Sequence, residues 1–410
     1  MSMMNPWPVI RAALSRYRYS ALAFVLLVAA GVSLAVAIVS QERALRSGSA
    51  RAADKFDLIV AAPGSRTDAL LTAVFLRPGG SQLLSPELSA RLLNDTRAGF
   101  VSPLAFGDSH RGAPLLGVTA ALVEHLSGGL AEGRRFAARE EVVVGAASPL
   151  QLGERFHPAH GVHHAGEAQG GDDALDAHEA LLTVVGRMRP TGSPWDRAVL
   201  APVEQVWAMH KLPSGHAPGS AQLGPPFDAA HTPGIPAAVL HTPKLAQAYQ
   251  LRSAYTGRES MAFFPAEALL QLYAVLGDMR QLMSLLALVT QALVLLAIIA
   301  SVLILFRLLT PQFVTLRALG APRRYVFAIA WGFTASLMVS GVALGLAGGY
   351  ALSFVISRWL ARSTGVALQP ALGEAELLMA LAMLATGLLL ATLPAWRLQR
   401  VPLAQAMKDY

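Results

Sequence analysis

The sequence predicts an α-helical membrane protein with four transmembrane helices and an extracytoplasmic α+β domain inserted between spans 1 and 2. Three observations lead there. The 410-residue chain is 54% hydrophobic and only 14% charged, against about 25% charged residues in a soluble domain. The deficit of charge is uneven: residues 19–40, 281–306, 325–357 and 377–396 contain no Asp, Glu, Lys or Arg. Each run reaches the roughly 20 apolar residues that cross a bilayer core. Between the first two runs lie about 240 residues of ordinary globular composition, enough for a core of their own. A disordered chain is excluded, and a purely soluble enzyme is disfavoured.

The elements follow in order. In the segment 1–18, Trp7, Val9, Ile10, Ala13 and Leu14 have helical apolar spacing with arginines between them. That suits an amphipathic helix on the cytoplasmic leaflet, or a plain extension of the first span. Residues 19–40 form transmembrane helix 1. Ala35-Val36-Ala37 has the small residues of a cleavage site, but the uncharged run exceeds the about 7–15 residues of a signal-peptide core, so a retained anchor is expected. In the external domain, 41–279, the first part to residue 56 extends the span. Asp57–Ala62 reads as a strand closed by Pro63-Gly64. Pro86–Leu93 reads as a helix with Ser85 as its cap. Residues 140–145, 181–186 and 197–202 read as strands, 203–210 as a helix and 213–243 as loop. Met261–Tyr273 begins a helix that runs into transmembrane helix 2, 280–306. Residues 307–324 form a loop with a short helix begun after Pro311. Transmembrane helix 3 (325–357), an outer loop (358–376), transmembrane helix 4 (377–396) and a tail (397–410) complete the chain.

Charge orients these spans. Arg11, Arg16 and Arg18 precede the first span, and no acidic residue occurs before Glu42. The loop after span two carries Arg307, Arg317, Arg323 and Arg324 without an acid, and the tail carries Arg397, Arg400 and Lys408 against Asp409. In 358–376, Arg358 and Arg362 are balanced by Glu374 and Glu376. The positive-inside rule places both termini and the 307–324 loop in the cytoplasm, with the large domain and the 358–376 loop outside. The net charge of +7 is therefore a matter of topology, and nucleic-acid binding is not expected.

Chemistry-bearing motifs are few. The chain has no cysteine, hence no disulfide and no thiolate ligand. It has no P-loop, no Gly-x-Ser-x-Gly elbow and no His-Glu-x-x-His; no catalytic residue is assigned. The apolar runs lack the mid-membrane acid, His or Lys of an ion-coupled carrier. All 11 histidines lie between His110 and His241, and His157, His160, His163, His164 and His178 fall within 22 residues. Glu167, Asp172, Asp173, Asp176 and Glu179 are interleaved. Imidazole and carboxylate are the ligand types of zinc and similar ions. The Gly- and Ala-rich setting favours a weak, exchanging site. Two other readings stand beside it: a solvated loop, and a pH sensor.

The loop 307–324 has a candidate docking helix. Phe313, Leu316 and Leu319 share one apolar face, Gly320 closes it, and Arg317, Arg323 and Arg324 flank it. In span three, Gly341, Gly345 and Gly349 form an i, i+4, i+8 stripe that lets another helix come close.

Thr315-Leu316-Arg317-Ala318-Leu319-Gly320-Ala321-Pro322-Arg323-Arg324 before a glycine-striped span resembles the FtsX/MacB-type ABC transporter permeases. So does the ending Leu393-Pro394-Ala395-Trp396-Arg397 with Val401-Pro402-Leu403-Ala404-Gln405-Ala406-Met407, as does the four-span layout. Val184-Val185-Gly186 through Pro190-Thr191-Gly192-Ser193-Pro194-Trp195-Asp196-Arg197 resembles the MacB-like periplasmic core domain. Two departures stand out: Pro311-Gln312-Phe313-Val314 replaces an Arg-x-x-Glu-Ile-Gly run, and Ala330-Trp331-Gly332-Phe333 lacks the family's Glu. The resemblance implies a non-catalytic, multi-pass subunit of a bacterial inner membrane, with a periplasmic domain. A separate P-loop ATPase would bind ATP and push the coupling helix at Phe313, Leu316, Arg317, Leu319, Gly320, Arg323 and Arg324. Mechanotransmission would carry that motion to the periplasmic domain. A second permease copy, identical or not, and a periplasmic binding or cargo protein are the implied partners. The His-rich loop points to the subgroup linked to metal homeostasis, with zinc as the ion. The alternatives are a lipoprotein-releasing or peptide- or drug-exporting permease, and a cell-envelope scaffold or sensor.

Overall fold

The computed structural model describes residues 5–77, 79, 82–161 and 178–400. The chain opens with helices α1 (Trp7–Arg16) and α2 (Arg18–Ala53). Next come β1 (Leu58–Ala61), α3 (Arg66–Ala73), α4 (Pro86–Leu93), β2 (Phe100–His110), β3 (Ala113–Val118), α5 (Ala120–Ser127) and β4 (Leu130–Gly133). They are followed by β5 (Glu141–Val144), β6 (Arg155–Phe156), β7 (Ala159–His160), β8 (Leu182–Met188), a 3-10 turn (Pro194–Arg197), β9 (Val199–Pro202) and α6 (Val203–Met209). Then β10 (Ala237–His241), α7 (Leu245–Ala254) and β11 (Met261–Phe263) precede three long helices: α8 (Pro265–Ala318), α9 (Arg323–Thr364) and α10 (Glu374–Arg400). The described residues divide into two compact units.

One unit holds residues 46–277 and 360–368. Its mixed sheet runs β11-β1-β10-β2-β3-β9-β5-β8-β4, with β6 beside β8 and β7 beside β2. The β3–β9 and β5–β8 pairs are parallel and the others antiparallel. Strand residues alternate between two apolar layers. Leu58, Val60, Val142 and Val144 pack with Leu88 and Leu92 of α4 and with Val203, Val206 and Trp207 of α6. Ile59, Ala61 and Val143 pack with Leu70 of α3 and with Leu122, Val123 and Leu126 of α5. Helices cover both faces, so the strands carry apolar residues in continuous runs rather than alternating with polar ones. Ser85 caps α4, its hydroxyl accepting from the Leu88 N–H at 3.2 Å, with Pro86 in the first turn.

Three expectations for this unit need correction. The stretch 213–243 is not all loop: Ala237–His241 is the strand β10, buried between β1 and β2. Its run is short and apolar on both faces, so it has no alternation to betray it among Gly and Pro. Met261–Phe263 is a strand on β1, and the following helix starts at Pro265, where proline suits the first turn. Arg197 belongs to the 3-10 turn, and the strand after it starts at Val199.

The other unit holds the described residues up to Leu45, from Asp278 to Trp359, and from Gln369 onward. The glycine stripe lies against α2. A Cβ added at Gly341, Gly345 or Gly349 would sit 2.7, 2.5 or 2.7 Å from the Cβ of Val28, Val32 or Val36. Two four-residue ladders therefore mesh at backbone distance, and the Ser33 hydroxyl donates to the Gly345 carbonyl at 3.0 Å. Ile10 and Ala13 of α1 are buried within this unit, and Ile10 packs over Gly332 of α9.

Pro311 does not end a helix. α8 runs unbroken to Ala318, because a proline removes one backbone hydrogen bond and can bend a helix without stopping it. The expected short helix of the 307–324 loop is the last turns of α8. Gly320 closes them at φ +92°, and the Ala321 N–H donates to the Leu316 carbonyl at 3.0 Å. The loop expected at 358–376 is shorter, since α9 reaches Thr364 and α10 starts at Glu374.

Among the described residues, three helical stretches are long and apolar enough to cross a membrane: Arg18–Ala53, Arg323–Thr364 and Glu374–Thr392. The charge-free run 281–306 lies inside the 54-residue α8. The molecule thus combines membrane-type helices with a mixed α/β sheet domain.

Candidate functional site

The site is built on an irregularity in β2. The β2–β3 register shifts between Ala105 and Asp108, a bulge of the kind that re-aims a side chain. Gly107 sits in it at φ +153°, and a Cβ there would be 2.8 Å from His210 Nε2. The lack of a side chain at this position is what admits the imidazole. The bulge turns Asp108 inward, where its side chain is 0% exposed.

Three histidines from separate elements meet that carboxylate. His160 of β7 is paired directly opposite Asp108, and its Nδ1 is 3.5 Å from Asp108 Oδ1. His178, whose N–H donates to the Pro158 carbonyl at 2.9 Å, brings its Nε2 to 2.9 Å from the same oxygen. His210 is the C-terminal cap of α6, and its Nε2 is 3.1 Å from Asp108 Oδ2. One nitrogen of each ring and one carboxylate oxygen all lie within 4.8 Å of one another. The ring centroids of His160 and His178 are 3.9 Å apart, and His210 is 5.4 and 5.3 Å from them. His178 is nearly buried, while His160 is 52% exposed and opens the cluster to solvent.

The five-histidine set of the sequence is thus divided. His160 and His178 join the cluster. His157 faces away, with its Nδ1 3.1 Å from the carbonyls of His178 and Ala180. Its own carbonyl lies 3.2 Å from His110 Nδ1, and burial holds the His110 imidazole below its usual pKa. His163 and His164 lie outside the described residues, as do Glu167, Asp172, Asp173 and Asp176. Sequence reasoning missed Asp108 and His210, which lie outside the histidine-dense run. The Gly-Asp step inside a strand, at 107–108, was the one local sign of a bulge.

The arginine-rich turn is a second feature. Leu319 is 80% exposed, Leu316 packs partly against the helical core, and Arg323, Arg324 and Gly320 are exposed. Phe313 differs from its expected role on the docking face: it is 3% exposed, in the same cluster as Ile10 and Val326.

Residues 284–403 match the family model of the FtsX-like permease C-terminal domain. No curated protein matches the chain. The matched span takes in the arginine-rich turn, the glycine stripe and the Pro-Ala-Trp-Arg ending. FtsX-like permeases are in general non-catalytic membrane subunits that work with ABC ATPase partners. Residues 284–403 are thus similar to the C-terminal domain of the FtsX-like permeases, which supports an FtsX/MacB-type ABC permease.

Proposed function

We propose that this chain is the transmembrane subunit of an ABC transporter of the cytoplasmic membrane. It transmits the ATP-driven motion of a separate ATPase to a MacB-like domain on the periplasmic side. The observation that carries the reading is the FtsX-like match over 284–403, which contains the Arg317–Arg324 turn with Leu319 projecting from it. Charge asymmetry supports four spans with both termini and this turn in the cytoplasm. The continuity of α2, α8 and α9 supports mechanical transmission, since each contributes residues to both compact units. Helices of 36, 54 and 42 residues are stiff enough to carry a displacement along their axes. A second permease copy completes a complex in which each subunit meets one ATPase. The cargo is metal-related, a reading that rests on the Asp108 cluster.

Coupling is testable at the exposed leucine. Burying Leu319 in an ATPase groove is worth about 1.5–3 kcal/mol, about ten- to a hundredfold in affinity. Leu319→Asp should release the ATPase from the purified complex and leave the melting of the helical unit unchanged. Phe313→Asp should instead destabilise that unit. A full complement of ATPase retained by Leu319→Asp would overturn the coupling assignment.

A further inference from the structure

We propose that Asp108, His160, His178 and His210 bind one divalent cation of the zinc class, as a four-ligand site. This deepens the metal-related part of the proposed function, yet it can stand or fall without the ATPase coupling. The geometry is the first ground. In a tetrahedral site with bonds of about 2.0–2.1 Å, neighbouring ligand atoms are about 3.3 Å apart. The His160 and His178 nitrogens lie 3.5 and 2.9 Å from Asp108 Oδ1, the His210 nitrogen lies 3.1 Å from Oδ2, and one donor atom from each of the four residues lies within 4.8 Å of the others.

Charge is the second ground. A carboxylate that water does not reach needs compensation. Among the described residues, the ion-pair partners of Asp108 are three imidazoles. Three neutral imidazoles and one carboxylate sum to one negative charge, which a divalent cation reverses while using all four lone pairs. Nitrogen donors in the majority, with no sulfur, suit zinc and disfavour calcium or magnesium, which prefer oxygen.

The scaffold is the third ground. Asp108 and His160 face each other across a strand pair, and His210 is fixed by the end of α6 in the space that Gly107 leaves open. Bound metal would staple β2, β7, the chain leading into β8 and the end of α6 to one another. His160, being half-exposed, would be the last ligand to close.

The test uses the detergent-purified full-length chain, stripped with a chelator and titrated with Zn2+ against a chromophoric competitor. Wild type, His157→Ala and the double variant His163→Ala/His164→Ala should each bind one Zn2+ with similar affinity. His210→Gln and Asp108→Asn should each lose more than about 100-fold, the upper end of what a mere supporting residue costs. His160→Cys guards against a variant that fails to fold. Position 160 is exposed, and the chain has no other cysteine. In the Co2+-loaded protein, a thiolate-to-cobalt charge-transfer band should therefore appear only in His160→Cys. Absence of that band in a folded His160→Cys protein would overturn the proposal. So would wild-type affinity in His210→Gln, or loss of binding in the His157 and His163/His164 variants alone, which would move the cation to the loop.

Discussion

Glu141 at the start of β5 is held by Arg134 through two side-chain hydrogen bonds, and it also accepts from the backbone N–H groups of Ala137 and Ala138. The guanidinium is the main reason its pKa is lowered to about 2. Asp95 is lowered to about 2 in the same way, by Arg97. A carboxylate depressed on folding adds stability above its unfolded pKa of about 4, and that stability is lost as pH falls through the folded value. The α/β unit should therefore weaken between about pH 4 and pH 2. Thermal melting across that range should be steep in the wild-type protein and flatter in Glu141→Gln. An equal slope in both would show that the pair does not contribute. The Arg97 and Arg134 side chains are 47% and 59% exposed, so solvent screens both pairs in part, and the change in slope carries the information, not the absolute stability.

At the scale of elements, the contact of α9 with α2 depends on the missing side chains of three glycines. Gly345 makes the shortest approach to a valine, 2.5 Å to the Val32 Cβ, and a Cβ there would also lie 3.0 Å from the Ala29 carbonyl oxygen, where backbone cannot yield as a flexible side chain would. Gly345→Ala should cost about 1–3 kcal/mol, the usual toll of overpacking, and Gly345→Leu should separate the helices. Val32→Ala should recover part of the Gly345→Ala loss, because it removes the branched carbons that a new methyl meets. Melting of the purified protein checks both. Additive losses in the double variant would mean that the stripe and Val32 do not meet. Arg43 and Glu376 join α2 to α10 in the same unit by a 2.7 Å ion pair, with Glu376 buried.

At the scale of the whole molecule, the α/β unit is not one continuous stretch of chain. Residues 360–368, the end of the membrane-type helix α9 and the four residues after it, belong to it. The Ala367 N–H donates to the Gly192 carbonyl at 3.0 Å, Arg51 donates to the Ala367 carbonyl at 3.2 Å, and Arg197 to the Ala361 carbonyl at 3.2 Å. Val366 and Leu368 are buried. Replacing 360–368 with a Gly-Ser segment of equal length removes these contacts without touching a strand. Amide exchange should then rise around 191–197, while the β1–β10 ladder stays protected. Unchanged exchange at 191–197 would show that the segment contributes nothing to that turn.

Several features of this protein are written locally in its sequence. The charge-free runs, the Ser85 cap with Pro86, the edges of α4 and the presence of β5, β8 and α6 need only neighbours within a turn or a strand. The spacing of Gly341, Gly345 and Gly349 is also local, and it predicted a close helix approach. That the approaching helix is α2 is a fact of packing, since Ser33 meets Gly345 across a separation of 312 residues. The strand β10 was illegible because a doubly buried strand has no alternating pattern. The histidine-dense run announced a metal-type composition, yet two of the four converging side chains lie outside it. Asp108 is 70 residues from His178 and 102 from His210. No local spacing encodes such a meeting; the sheet register, the bulge at Gly107 and the end of α6 bring these side chains to one point, and only the folded chain has those.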